Sequence, residues 1–342
     1  MRGAKPHSFT NIQPSVTEPN PSPQAFPERP RKRKKPKSVR VHAPNARYQL
    51  RYWPTWMLVG IAWLIARLPI SWVSALGRAA GRAVYIAARS RRHITHTNLR
   101  LAFPEKSSEE RHAMAKEIFR QVGMGALELM IPWLNPKKDI SRYFEIQGQE
   151  HLDAALADGK GVIIVGAHWT VMDLISQPLS ETGPIDVMYR FNKNPVWEWL
   201  QVYGRASFFD GVIEREDTRQ TLRRLKQGRA IWYAADQDYG AKHSVLAPFF
   251  GIDAATIVAT SRFARLGKAN VLLMRQTRVA KAPGWRIEFF PPLDGFPSGD
   301  DVADATRLNG LLEDLIREVP TQYLWLHKRF KTRPPGEPDL YK

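Results

Sequence analysis

The chain has 342 residues, a net charge of +18 and no cysteine. Its length suits one large α/β domain or two smaller ones. The absence of cysteine excludes disulfides, thiolate metal ligands and a cysteine nucleophile. The positive charge predicts acidic partners: nucleic acid, phosphorylated lipid or an acidic carrier protein.

Residues 1–46 are rich in Pro, Ser and Asn and contain the basic run Arg29-Pro-Arg-Lys-Arg-Lys-Lys-Pro-Lys37. This composition predicts a disordered tail. No apolar stretch precedes the basic run, so it does not read as a secretory signal. The tail could bind nucleic acid, but its place just before an apolar segment favours an anionic membrane.

Residues 47–101 are expected to be a membrane-associated helical segment. Tyr52 to Ala66 is uncharged, as is Leu68 to Gly77, with Arg67 between them. Neither run reaches the roughly 18–20 residues of a spanning helix, and joining them would put Arg67 in mid-membrane. Trp53, Trp56, Trp63 and Trp72 suit an interfacial aromatic belt. The preferred expectation is an in-plane, shallow or re-entrant anchor near 52–77, with a single pass as the alternative. Arg78, Arg82, Arg89, Arg91, Arg92 and Arg100 follow on a basic helical stretch, either a solvated face or a contact for headgroups.

Residues 102–338 read as the main domain. Ser107 with Glu110 predicts a capped start to a long helix over 107–134, with Leu127, Met130 and Ile131 in the core. From Tyr143 strands and helices alternate. Strands are expected at 143–146, 161–165, 186–190, 211–213 and 230–236, and helices at 149–158, 170–180, 195–206, 217–227, 256–266 and 301–318. Paired strands are expected at 270–279 and 285–291. This predicts a mixed, largely parallel central sheet flanked by helices.

Chemistry is expected around Gly161-Val-Ile-Ile-Val-Gly-Ala-His168-Trp-Thr-Val-Met-Asp173. Ligand sites in α/β sheets gather at the carboxyl ends of strands. If His168 lies just before a helix, its ring can fold over the first turn, where Asp173 could fix its tautomer and leave the other nitrogen as a base. His112 and Glu117 share the spacing, but mid-helix they point apart. Asp236, Asp238 and His243 lack the paired histidines of a zinc site. No G-x-x-x-x-G-K-[ST] loop signals nucleotide use, and no G-x-S-x-G elbow signals a serine nucleophile.

Several ordered blocks add to the His/acid motif: Val187-Met-Tyr-Arg190, Asn192-Lys-Asn194-Pro195, Glu198-Trp-Leu-Gln-Val-Tyr-Gly-Arg205, Trp232-Tyr-Ala-Ala-Asp236-Gln-Asp238-Tyr-Gly240 and Lys328-Arg-Phe-Lys-Thr-Arg-Pro334. Over about residues 52–338 the chain resembles the lipid A late acyltransferases, the lauroyl branch most, within the glycerolipid acyltransferase-like proteins. The resemblance implies a glycerolipid acyltransferase-like domain that uses no cofactor. It implies transfer of an acyl chain from acyl carrier protein to the 3-hydroxyl of a hydroxyacyl chain on a Kdo-bearing lipid A precursor. The setting it implies is the cytoplasmic face of a Gram-negative inner membrane, with no nucleic-acid partner.

His168 would be the general base and Asp173 its orienting acid. Arg205 and Asp236 belong to the implied site, with Arg190 and Asn194 nearby. Arg190 and Arg205 could hold phosphate or Kdo carboxylate, and Asp236 could position Arg205 or a sugar hydroxyl. Backbone N–H groups at 169–171 could face the developing oxyanion, and Asp238 could cap the turn into Gly240. Two other readings stand beside this one: an acyltransferase for another lipid or glycolipid hydroxyl, or a non-catalytic basic lipid-binding protein.

Overall fold

The computed structural model describes residues 45–342 except 280–283 and 335. The basic run at 29–37 therefore lies outside the described residues. Two helices, α1 (Trp53–Ile65) and α2 (Ile70–Ala87), are separated at Arg67-Leu68-Pro69. Among the described residues no helix is long and apolar enough to cross a membrane. The Arg67 guanidinium folds back on its own helix, donating to the Trp63 carbonyl at 2.8 Å and lying over the Trp63 ring. Helix α3 (Arg89–Ala102) follows, then α4 (Ser108–Glu128) and α5 (Met130–Leu134).

The start of α4 is set by a complete capping box: Ser107 Oγ accepts from the Glu110 N–H, and the Glu110 carboxylate accepts from the Ser107 N–H. This satisfies two otherwise orphaned groups. Helices α2 and α4 touch backbone to backbone. A Cβ on Gly81 would run into the Phe119 carbonyl, and one on Gly123 into that of Gly77.

The rest alternates: β1 (Phe144–Gln147), α6 (Gln149–Ala157), β2 (Val162–Gly166), α7 (Ser176–Glu181), β3 (Ile185–Tyr189), α8 (Pro195–Ala206), β4 (Val212–Glu214), α9 (Thr218–Leu225) and β5 (Ala230–Ala234). Then come a hairpin, β6 (Ser244–Phe249) and β7 (Ile252–Ile257), α10 (Ala259–Gly267), β8 (Asn270–Arg278), β9 (Trp285–Phe289) and α11 (Asp301–Glu318). Seven strands form one sheet in the order β1-β9-β8-β2-β5-β3-β4, with β6 and β7 paired separately. Strands β8, β2, β5, β3 and β4 run parallel, while β9 is antiparallel to β8 and parallel to β1.

Strand β2 lies between β8 and β5 and is buried along its whole length. Val162 and Ile164 enter one core, Ile163 and Val165 the other. That is why the run is continuously apolar rather than alternating. The expected helix over 170–180 is shorter than predicted, since helical structure begins only with a single turn at Asp173–Ile175 that leads into α7. The β6–β7 hairpin was not anticipated.

Candidate active site

Two parallel strands place the central pair. Gly166 of β2 is in register with Ala234 of β5. Two residues further along each strand, beyond the carboxyl edge of the sheet, stand His168 and Asp236. Asp236 Oδ1 accepts from His168 Nδ1 at 2.7 Å and from the His168 backbone N–H at 3.1 Å. The Asp236 side chain is inaccessible to solvent, while His168 keeps 19% of its side-chain surface. The Nδ1 hydrogen bond fixes the tautomer and leaves Nε2 as the acceptor. Burial, the largest single influence, pushes the Asp236 carboxyl up, but the charge and hydrogen bond of His168, with His327 and Tyr323, together outweigh it; the net result lies well below the ordinary carboxylate range.

The expected partner of His168 was Asp173, and the structure corrects this. Both Asp173 oxygens are taken by Arg205, Nε to Oδ1 at 2.7 Å and Nη2 to Oδ2 at 2.9 Å. This is the fork-to-fork geometry that a guanidinium and a carboxylate prefer. Arg205 comes from the last turn of α8 and also donates to Gln201 Oε1 at 3.1 Å. Arg205 is therefore held by Asp173, and Asp236 serves His168.

No helix begins at the expected oxyanion donors 169–171, and two of those three N–H groups are already bonded. The Trp169 N–H donates to the Ala167 carbonyl and the Thr170 N–H to the Gln322 carbonyl, each at 2.8 Å. Trp169 is bridged to Tyr323, and the Leu324 N–H donates to the His168 carbonyl at 2.8 Å. From below, α4 supports the same segment: a Cβ on Gly125 would collide with the Thr170 carbonyl.

Asn194 caps α8, its Oδ1 accepting from the Val196 N–H, while its Nδ2 donates to Thr55 Oγ1 of α1 at 3.1 Å. Its amide is thus committed to the scaffold. Asp238 accepts from the Gly240 N–H at 2.8 Å, as the turn reading expected. It also accepts from the Thr332 N–H and hydroxyl at 2.8 and 2.9 Å, which ties the C-terminal segment to the site.

Beside this pair lies a cavity of about 360 Å³ lined by Arg91, Arg190, Arg215, Lys328 and Lys331, with Asp238 its only carboxylate among the described residues. Arg190 is exposed there. Arg215 and Tyr239 are shared with a second hollow of about 530 Å³, whose walls include Met188, Ile257, Phe263 and Leu266. A basic chamber thus adjoins an apolar one.

Sequence reading missed two residues, His327 and Tyr323. Their rings lie 6.1 Å apart, and the His327 ring is 6.2 Å from that of His168. Their relation to His168 depends on a contact more than 150 positions away in the chain, so no local spacing signals it.

The model of the bacterial lipid A biosynthesis acyltransferases matches residues 42–332. The chain is 36% identical to the lipid A biosynthesis lauroyltransferase of Escherichia coli (strain K12) over 292 residues, covering 85% of this chain and 95% of that one. It is 37% identical to the palmitoleoyltransferase of the same organism over the same shares. Against the myristoyltransferase of that organism the identity is 28% over 298 residues, 85% of this chain and 91% of that one. With this fold and a paired histidine at the sheet edge, the chain belongs to the bacterial lipid A biosynthesis acyltransferase family and is an acyltransferase.

Proposed function

We propose that the chain moves a fatty acyl group, lauroyl in our reading, from acyl carrier protein onto the 3-hydroxyl of a hydroxyacyl chain on a Kdo-bearing lipid A precursor. The observation that carries this reading is the His168–Asp236 pair, 2.7 Å apart, opening beside a cavity lined by five cationic side chains. His168 Nε2 takes the proton of the acceptor hydroxyl as its oxygen attacks the thioester carbonyl. The imidazolium that forms is balanced by Asp236, and its proton passes to the departing thiolate as the C–S bond breaks. No covalent enzyme intermediate is required.

The cationic cavity suits the phosphates and Kdo carboxylates of the acceptor, with Arg190 among its contacts. The apolar hollow next to it suits the acyl chain, since such sites gain affinity from buried apolar surface. Asp173 acts as a positioning residue that fixes the Arg205 guanidinium. We place the protein at the cytoplasmic face of a Gram-negative inner membrane, where cytosolic acyl carrier protein can reach it. The exposed apolar residues of α1 and α2 support an in-plane anchor.

The test is mass spectrometry of a Kdo-bearing tetra-acyl precursor incubated with the protein and with carrier-protein thioesters of different lengths. The expected result is a mass gain of one acyl chain, lauroyl preferred, that is lost in His168→Ala. Transfer by both proteins, or by neither, contradicts the reading.

A further inference from the structure

The attack of a hydroxyl on a thioester places negative charge on the carbonyl oxygen, and that charge needs a donor aimed at it. Two nearby backbone donors are spent, since the N–H groups of Trp169 and Thr170 bond to Ala167 and Gln322. Another group stands in the right place. His327 lines the basic cavity, with its ring 6.2 Å from that of His168 and tilted by 57°. Neither of its buried ring nitrogens has a hydrogen-bond partner of normal geometry, and the Leu324 carbonyl makes only a weak contact with the ring. A buried polar group without a partner costs free energy, and a bound ligand would remove that cost.

The backbone that carries the ring is held firmly. Asn98 Nδ2 donates to the His327 carbonyl and to that of Trp325, each at 2.8 Å. Arg329, two residues on, donates to the Ala255 carbonyl at 2.9 Å and to Thr256 Oγ1 at 3.1 Å. The cavity therefore meets a side chain whose backbone is fixed on both sides.

We propose that His327 is a second catalytic histidine, whose N–H donates to the thioester carbonyl oxygen as it becomes an oxyanion. This rests on the reading of His168 as the base. His168 meets the attacking oxygen and His327 the carbonyl oxygen of the same tetrahedral carbon, each at about 2.7–3.1 Å in the transition state. His327 transfers no proton. The hydroxyl proton goes to His168, the C–O bond forms, the C–S bond breaks, and the thiolate takes its proton from His168. Burial suits the donor role by lowering the His327 pKa to about 4; the Asp236 charge opposes this, those of His168 and Arg329 add to it, and the Leu324 carbonyl pulls weakly the other way. A neutral imidazole keeps one N–H to donate.

The test compares kcat and KM for acyl transfer in wild type, His327→Ala and His327→Gln, with thermal unfolding as a check on folding. His327→Ala is expected to lower kcat by about 10²–10³-fold, the usual loss for one oxyanion donor, with KM little changed. His327→Gln, which restores an N–H, is expected to recover at least about tenfold of that. A kcat for His327→Ala close to wild type, or a loss confined to KM, overturns the proposal. So does a Gln variant that is no better than Ala, which would mean that the ring only fills space. If His327→Ala does not fold, the Gln variant decides: a kcat loss of at most about 10²-fold supports the proposal, and a larger loss overturns it. If the wild type transfers nothing, the acyl-transfer reading fails first and takes this one with it.

Discussion

An ionised carboxylate can sit in a dry place only if donors surround it. Asp236 has two from one residue, the ring and the backbone of His168. Around it, Tyr323 is kept protonated by burial, with the Asp236 charge adding to the effect. His327, buried in the same cluster, changes protonation in an accessible range. Its folded-state pKa of about 4 lies below the ordinary value of 6.5. Between those values the unfolded chain binds a proton there and the native chain does not. Stability is therefore fully present above about pH 6.5 and is lost as pH falls through about 4. Burial lowers that value most; of the charges that face the ring, Asp236 opposes the shift and His168 and Arg329 add to it. Thermal unfolding at pH 4–7 should show a steeper acid loss in wild type than in His327→Gln, on the order of 3 kcal/mol in total. Equal slopes would contradict this.

At the scale of elements, α1 turns Trp53, Met57, Ile61 and Leu64 to solvent, each at least half exposed. They recur at the spacing of one helix face. On the opposite side Val59 is buried and Trp56 packs against Trp199. Trp72 and Leu76 on α2 extend the exposed apolar surface. Exposed apolar residues recurring on one helix face suit an interface rather than water. Replacing Met57, Ile61 and Leu64 by Gln should release the protein from anionic phospholipid vesicles in a flotation assay, while transfer in detergent persists. Continued flotation of the variant would place the anchor elsewhere.

The elements that the sequence made legible are those fixed locally. The capping box opens α4, Asn194-Pro195 opens α8, and the apolar run is β2. Where long-range contacts decide, local reading fails. Thr170 gives its N–H to Gln322 instead of to a helix turn. The hairpin β6–β7 contains Pro248, Ala254 and Ala255, poor strand formers, and is fastened by Arg329 and Asn309 from later in the chain. Likewise all four of His168, Asp173, Arg205 and Asp236 were visible as residues, but not who pairs with whom. That depends on the register of β2 with β5 and on where α8 ends.

At the scale of the whole molecule, the sheet order brings the chemistry to one edge. Strand β2 is central, β5 is its neighbour, and the C-terminal segment returns across their carboxyl ends to supply Tyr323, His327, Lys328 and Lys331. His168, Asp236 and the cations of the cavity thus meet from distant parts of the chain. The central claim is that His168 and Asp236 act as one catalytic unit. The most direct measurement is the single-turnover rate of acyl transfer from carrier-protein thioester to the Kdo-bearing precursor, for His168→Ala, Asp236→Asn and the double variant. Each single change should slow transfer by about 10³–10⁴-fold, and the double variant should be no slower than His168→Ala alone. A near-normal rate for Asp236→Asn, or losses that multiply in the double variant, would contradict the account.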